Sequence, residues 1–492
     1  MKYRNLNYSK NRGHFQGVFA KKANGTKGKG ANSPKLGIER EANIEMHREM
    51  RYNEGRKKNG REGKRMRERP CVFGIDIGTT SICAAAVDPE SGHQLVALTH
   101  KNRAALQSDD PWRKEQDTGL ILADVHGLID GLTAEGYTPT AIGLAGQMHG
   151  IVYADGEGRP LSPLYTWQDG RGGLPLPGGS ACERLGLPEG YGFAAHLYMA
   201  ETGAVPPGAA SLCTAADLAA MVLTGTSRPL MHVTNAASLG LFDVTAGKFL
   251  PEAEQLLLNS GMILPHVTER LEPVGEFCGV PVYCAIGDNQ AAFRAAAGAG
   301  EVLLNFGTGS QVSLLSESPL SLPGLEVRPY LDGKFIQSGS ALCGGRAYAA
   351  LADCFAAFDR ARGLEGTDVY ETLGRLAEAA SVGDAPQVDT AFAGTREDPE
   401  RRGSICGISE NNLTPGHLAL GILRGMVEEL YLMYEISGAD AASLVLSGNA
   451  ARKNPLLGSL AAQRFRLPAR LCPVREEAAV GAALAVREEI GK

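Results

Sequence analysis

Beyond residue 70 the apolar positions fall into short unbroken runs and into helical spacing, and the two alternate. Residues 71–77 form a strand-like run ending in Gly78-Thr79-Thr80-Ser81, and residues 82–87 form a second; together they predict a β-hairpin with a Gly/Thr turn. The pattern returns at residues 301–315. There, residues 302–306 lead into Gly307-Thr308-Gly309-Ser310 and residues 311–315 follow. Ile75-Asp76-Ile77-Gly78-Thr79-Thr80-Ser81 stacks over Leu304-Asn305-Phe306-Gly307-Thr308-Gly309-Ser310 without a gap. Two copies of one hairpin, each opening a half of the body, point to a duplicated domain. On these residues alone, two unrelated Gly-rich hairpins fit as well.

Helices are predicted at residues 120–132, 215–223, 291–297, 347–358, 418–433 and 478–489, the last three with apolar residues at i, i+3 and i+4. Strands alternating with helices place the body in the α/β class. No run approaches the ~18 apolar residues of a membrane span, so no membrane association is expected.

Residues 1–70 differ. They carry 20 Lys+Arg against 7 Asp+Glu and few large apolar side chains, so composition predicts a disordered basic extension. Met66 stands just before the first core strand, and the expectation is that it is the true start and the tail a translated leader. A basic arm that binds RNA or a membrane surface is the other reading. The net charge of −6 leaves the rest of the chain acidic, which argues against nucleic acid binding by the body. The ten cysteines are scattered, with no CxxC and no zinc spacing, which suits reduced thiols in a cytoplasmic protein.

Four segments could carry chemistry. The Gly/Thr turns expose backbone N–H groups and admit a phosphate; two of them on facing domains could grip a triphosphate. Asp76 beside the first suits a hydrated magnesium ion, or simply stabilises a turn. In Ile286-Gly287-Asp288-Asn289-Gln290, a strand ends and an Ala-rich helix opens. Asp288 is a helix N-cap on one reading, and on the other a base accepting a proton from an attacking hydroxyl. Gln147, Met148 and His149 follow a strand, and Trp167, Asp169 and Arg171 lie close after. Amide, imidazole, carboxylate and guanidinium suit a polyol, and a Trp face packs on sugar C–H groups. Individually, His149 fits a core or loop histidine, and Asp169-Gly170 a turn. Last, Ser447-Gly448-Asn449 ends a buried strand. Its backbone could lie along an adenine, or merely link strand to helix.

Taken together, these motifs resemble those of the FGGY carbohydrate kinases, from about residue 71 to the C-terminus. Asp76–Ser81 and Asn305–Ser310 resemble the two phosphate motifs, Gly287-Asp288-Asn289-Gln290 the segment of the catalytic aspartate, and Ser447-Gly448-Asn449-Ala450 the adenosine motif. Residues 407–424 resemble the C-terminal signature, and residues 477–483 the closing helix. The resemblance implies two ribonuclease-H-like (actin-like ATPase) domains flanking a nucleotide cleft: 71–298 for sugar and base, 299–492 for nucleotide. It implies Asp288 as catalytic base and Asp76 as the Mg2+ ligand. ATP would lie on Gly78, Thr79, Thr80, Gly307, Thr308, Gly309, Gly448 and Asn449. Sugar would lie on Gln147, Met148, His149, Trp167, Asp169, Arg171 and Asn289. Domain closure would exclude water.

Within the family, Gly146–Gly150 resembles the ketose kinases. Residues 167–171, 190–194, 340–345 and 447–450 bring it nearer the branch acting on sedoheptulose than the xylulokinases. Asn449 departs from the family's glycine run near the adenine. A non-catalytic sugar-binding regulator and an actin-like ATPase are the rivals of other classes. The expected partners are sugar and ATP, on a monomer or homodimer.

Overall fold

The structure is a computed structural model that describes residues 69–492, apart from 365, 367, 396, 397 and 399. The expectations for the basic arm and for Met66 lie outside the described residues, save that Arg69 and Pro70 are already strand.

The predicted hairpins are present, each at the centre of its own sheet. Strands β1 (Arg69–Ile77), β2 (Ser81–Val87) and β3 (Gln94–Lys101) run antiparallel in sequence. After helix α1 (Thr118–Ala134), strand β4 (Tyr137–Gly146) returns parallel to β1, and β5 (Val280–Tyr283) lies parallel beside β4. The second sheet repeats this with β6 (Glu301–Phe306), β7 (Ser310–Ser316), β8 (Phe335–Ala341), β9 (Ser443–Ser447) and β10 (Ala469–Leu471). The spatial orders are β3-β2-β1-β4-β5 and β8-β7-β6-β9-β10, with the first, fourth and fifth strands of each set parallel. One topology drawn twice is the duplication that the repeated hairpin predicted, in the ribonuclease-H-like form.

The gapless stacking does not survive the turn. Ile77 pairs with Ile82 across four residues, whereas Phe306 pairs with Ser310 across three. Ser310 therefore occupies the place of Ile82, not of Ser81, and the second turn is tighter by one residue.

Alternation along the strands sorts side chains into three apolar layers. Cys71, Phe73, Ile75 and Ile77 face outward onto α1, where Ile121, Val125 and Leu128 meet them. Val302, Leu304 and Phe306 face outward onto the long helix Pro415–Ser437, through Leu423, Met426 and Leu430. The inward faces share a third layer. It joins Val72, Cys83 and Ala85 of the first sheet, Leu303, Ile336 and Val445 of the second, and two helices lying between. Burial on both faces explains why β1 reads as an almost unbroken apolar run.

The two interposed helices are α2 (Asp288–Ala296), which follows the first sheet, and α3 (Glu477–Ile490), which follows the second. Helix α3 crosses back and lies on the first sheet. Small residues permit it: a methyl on Gly74 or Gly143 would overlap the α3 backbone at Ala479 or Ala482, and one on Gly481 the backbone of Ala291 in α2. Among the described residues no helix is long and apolar enough to cross a membrane, and all ten cysteines are free thiols.

Candidate active site

Three strands of the first sheet end side by side. Gly146, the last residue of β4, pairs with Ile77 on one side and with Gly287 of the short strand Ile286–Gly287 on the other. Gly78, Gln147 and Asp288 therefore emerge side by side at the carboxyl ends of parallel strands, the usual place for a ligand in an open α/β sheet.

Asp288 is the first residue of α2, and the N-cap position belongs to Gly287. Among the described residues its Oδ1 accepts only the amide of the adjacent Asn289, at 2.7 Å, so the capping reading does not describe it. Burial raises its pKa to about 6, against the Asn289 amide and the Arg328 guanidinium, which pull it down. Arg328 belongs to Glu326–Pro329, the edge strand of the second sheet. Asp76 lies in β1 opposite Cys83, within the strand rather than in the turn. Burial, then Asp288 and Glu476, push its pKa up to about 8. Its Oδ1 is enclosed and has no hydrogen-bond partner among the described residues. An orphaned carboxylate oxygen in a negative field fits a divalent cation, whose charge would reverse that shift.

The first Gly/Thr turn is tied to the polyol cluster by a closed circuit. The Trp167 indole donates to Thr79 Oγ1 at 3.0 Å, and that hydroxyl donates to Gln147 Oε1 at 3.2 Å. Gln147 donates to Gln116 Oε1 at 2.9 Å, and Gln116 donates back to the Thr79 carbonyl at 2.9 Å. Asn102 holds the Gly78 carbonyl at 2.9 Å. Gln116 and Asn102 were not among the candidates: each sits in a short polar stretch with no motif around it, and only the tertiary fold brings them here.

The polyol candidates divide. Trp167 is 46% exposed, so its ring has an open face. Met148 is buried against Gly287, where a methyl would stand 2.7 Å from its sulfur. His149 adopts φ 71°, uncommon outside glycine. Ser238 holds it there: its Oγ accepts the His149 amide at 3.0 Å, and its carbonyl lies 2.8 Å from Nδ1. A carbonyl only accepts, so Nδ1 carries the proton. The ring centroid lies 4.4 Å from that of Tyr191, with the planes tilted by 33°. The same short helix, Val233–Ser238, supplies Thr234, whose hydroxyl accepts the Gly287 amide at 3.1 Å.

Asp169 and Arg171 do not join this face. Both are buried and paired with each other at 2.6 Å. Arg171 also bonds Glu115 at 2.7 Å and stacks 3.9 Å above the Tyr165 ring, and Asp169 takes the Lys114 amide at 2.9 Å. Desolvation opposes the charge on Arg171, but its two carboxylate partners outweigh it and the pKa is raised. They brace the loop that presents Trp167 rather than line the cleft, because every polar atom the expectation reserved for sugar is used internally.

On the second sheet, the Gly307 and Thr308 carbonyls accept the amides of Gly345 and Arg346 at 2.9 and 3.1 Å, at the start of the helix Gly344–Ala361. Gly448, at φ 86°, rests on the end of β6, where a methyl would stand 2.5 Å from the Phe306 carbonyl. Asn449 is exposed at the head of the short helix Asn449–Lys453. Gly307, Thr308, Gly309 and Gly448 thus cluster at the end of β6, as Gly78, Gln147 and Asp288 do at the end of β4.

Comparison with known proteins bears on this geometry. Residues 71–173 match the family model for the N-terminal domain of the FGGY carbohydrate kinases, and residues 302–486 that for the C-terminal domain. The sedoheptulokinases of Mus musculus and Homo sapiens are 28% and 29% identical to this chain, over 85% of it and 98% of each of them. A glycerol kinase of Trichlorobacter lovleyi is 28% identical over 85% of this chain and 90% of its own. Among solved structures, a xylulose kinase from Rhodospirillum rubrum superposes with a TM-score of 0.72 at 23% identity, over 85% of this chain and 89% of that one. A ligand-bound xylulose kinase from Lactobacillus acidophilus gives 0.72 at 17%, over 86% and 90%.

Proposed function

Since this chain belongs to the FGGY family of carbohydrate kinases, we propose that it transfers the γ-phosphoryl group of ATP to the terminal hydroxyl of a ketose, with sedoheptulose giving sedoheptulose 7-phosphate. The observation that carries the reaction is the position of Asp288. Its carboxyl leaves the sheet beside Gly78 and Gln147, and burial sets its pKa at about 6, which leaves it ionised yet basic near neutrality. The ketose assignment is supported by the two sedoheptulokinases, which this chain matches along 98% of their length.

In this reading residues 71–298 hold sugar and base, and residues 299–492 hold the nucleotide. The terminal O–H of the ketose gives its proton to Asp288. Its oxygen forms a bond to the γ-phosphorus, and the bond from that phosphorus to the β–γ bridging oxygen breaks. ADP leaves with the electron pair. The Gly78–Thr80 and Gly307–Gly309 turns hold the phosphates from both sides, and the end of β6 with Gly448 and Asn449 receives the adenosine. Trp167, His149 and Asn289 face the sugar, with Gln147 and Met148 fixing the walls. Asp76 would hold Mg2+, which neutralises phosphate charge when bound. The free thiols support a cytoplasmic setting.

The test is ADP release measured on sedoheptulose, D-xylulose and glycerol, with phosphorus NMR on the product. Sedoheptulose preferred by at least about tenfold in kcat/KM, with phosphate on the terminal carbon, is the expected result. Absence of turnover on sedoheptulose removes that substrate; absence on all sugars removes the catalytic reading.

A further inference from the structure

Asp288 is followed by two residues whose side chains both reach to the other sheet. Asn289 donates through Nδ2 to Gln311 Oε1 at 2.8 Å, and Gln290 donates through Nε2 to the Pro329 carbonyl at 3.0 Å. Gln311 stands on β7, directly after the second Gly/Thr turn; Pro329 ends the edge strand of that sheet. The residues just before Asp288 pair instead with β4 of the first sheet. The carboxyl therefore sits where the chain passes from one anchorage to the other.

Gln311 is itself oriented. Its Nε2 donates to Ser340 Oγ at 3.3 Å on β8, which leaves Oε1 as the atom turned toward Asn289. Strand register sets Ser447, Asn305, Gln311 and Ser340 side by side across four strands on the inward face. The anchor thus comes from a polar row level with the second turn. The backbone N–H of the residue it holds, Asn289, is the group that donates to Asp288 Oδ1.

We infer that Gln311 is a positioning residue for phosphoryl transfer: through Asn289 it makes the orientation of Asp288 depend on how the second hairpin sits against the first half of the chain. This rests on the reading of Asp288 as the base. When the hairpin is seated, the second turn and the carboxylate are aligned together. When it is displaced, Asn289 is released and the carboxylate loses its fixed direction. A base assembled only in the seated arrangement has little opportunity to activate water against ATP.

The experiment is steady-state kinetics on Gln311→Leu, which keeps the volume and removes the acceptor, beside Asn289→Ala and the double variant. The expected result for Gln311→Leu is a kcat lower by about tenfold or more, with KM for ketose and ATP within about twofold of the native chain; Asn289→Ala, which also removes a side chain proposed to face the sugar, should lower kcat and raise the ketose KM. The double variant should be no slower than Asn289→Ala alone, because both changes break one link. Should Gln311→Leu fail to fold, Ser340→Ala carries the test: it frees the Gln311 amide to turn over, and kcat should fall about threefold. Native kcat in the folded variant, or losses that add independently, overturns the inference. The native chain and Asp288→Asn run alongside. Undiminished turnover in Asp288→Asn overturns the base reading and this inference with it.

Discussion

The indole N–H of Trp167 donates to the hydroxyl of Thr79 at 3.0 Å, so the aromatic side chain proposed to receive the sugar also fixes the first Gly/Thr turn, proposed to hold phosphate. In the proposed reaction, one hydrogen-bonded unit would then read both substrates. Trp167→Phe keeps an aromatic face and deletes the donor. At about 1 kcal/mol for such a bond, kcat/KM should fall about fivefold with respect to ATP as well as the ketose. A loss confined to the ketose would mean that the contact with Thr79 is incidental.

Asp288→Asn preserves shape and removes the proposed base. Turnover should drop by about two orders of magnitude or more, while calorimetry still detects ATP and ketose binding. Turnover at the native rate would refute the role.

The pH dependence follows from the raised carboxyl values. With Asp288 at about 6, kcat should fall as pH drops below 6, approaching tenfold per unit, because the base becomes protonated. Stability runs the other way. A carboxyl whose folded pKa lies above its unfolded value favours the folded state while protonated. That stability is fully present below about pH 4 and is lost as pH rises through the folded value. For Asp76 the loss runs up to about pH 8. Mg2+ should therefore raise the thermal midpoint more at pH 8 than at pH 6, where protons compete with it. An equal increment at both would argue against Asp76 as its ligand.

Arg171→Leu leaves Asp169 as a buried carboxylate without its ion-pair partner, and Glu115 with Arg113 alone. The expected loss is about 3–5 kcal/mol of folding stability, read by urea unfolding. A stable variant with a raised ketose KM would instead return Arg171 to the sugar site.

The hairpins, both Gly/Thr turns and the strand-to-helix site of Asp288 were legible because each is local: an apolar run, a turn of small residues, a change of period. What was not legible is how polar groups are spent. Arg171 and Trp167 sit four residues apart in one motif, yet one is buried in an ion pair and the other half-exposed beside Thr79. No spacing rule separates them, since the partners, Glu115 for one and Thr79 for the other, come from distant segments. Gln116, Ser238 and Gln311 were invisible for the same reason. A one-residue difference between the two turns also escaped, because a gapless match of Gly and Ser hides a change of strand register.

Helix α3 has a consequence for how the chain is made. It covers β1, and nearly the whole described sequence is synthesised between the two. The inward face of β1 therefore lacks its α3 cover until residues 477–490 have been synthesised. Packing of Val72, Ala85 and Ala141 against α3 is a contact of high sequence separation, the kind that forms late and leaves apolar surface open to chaperones or to aggregation meanwhile.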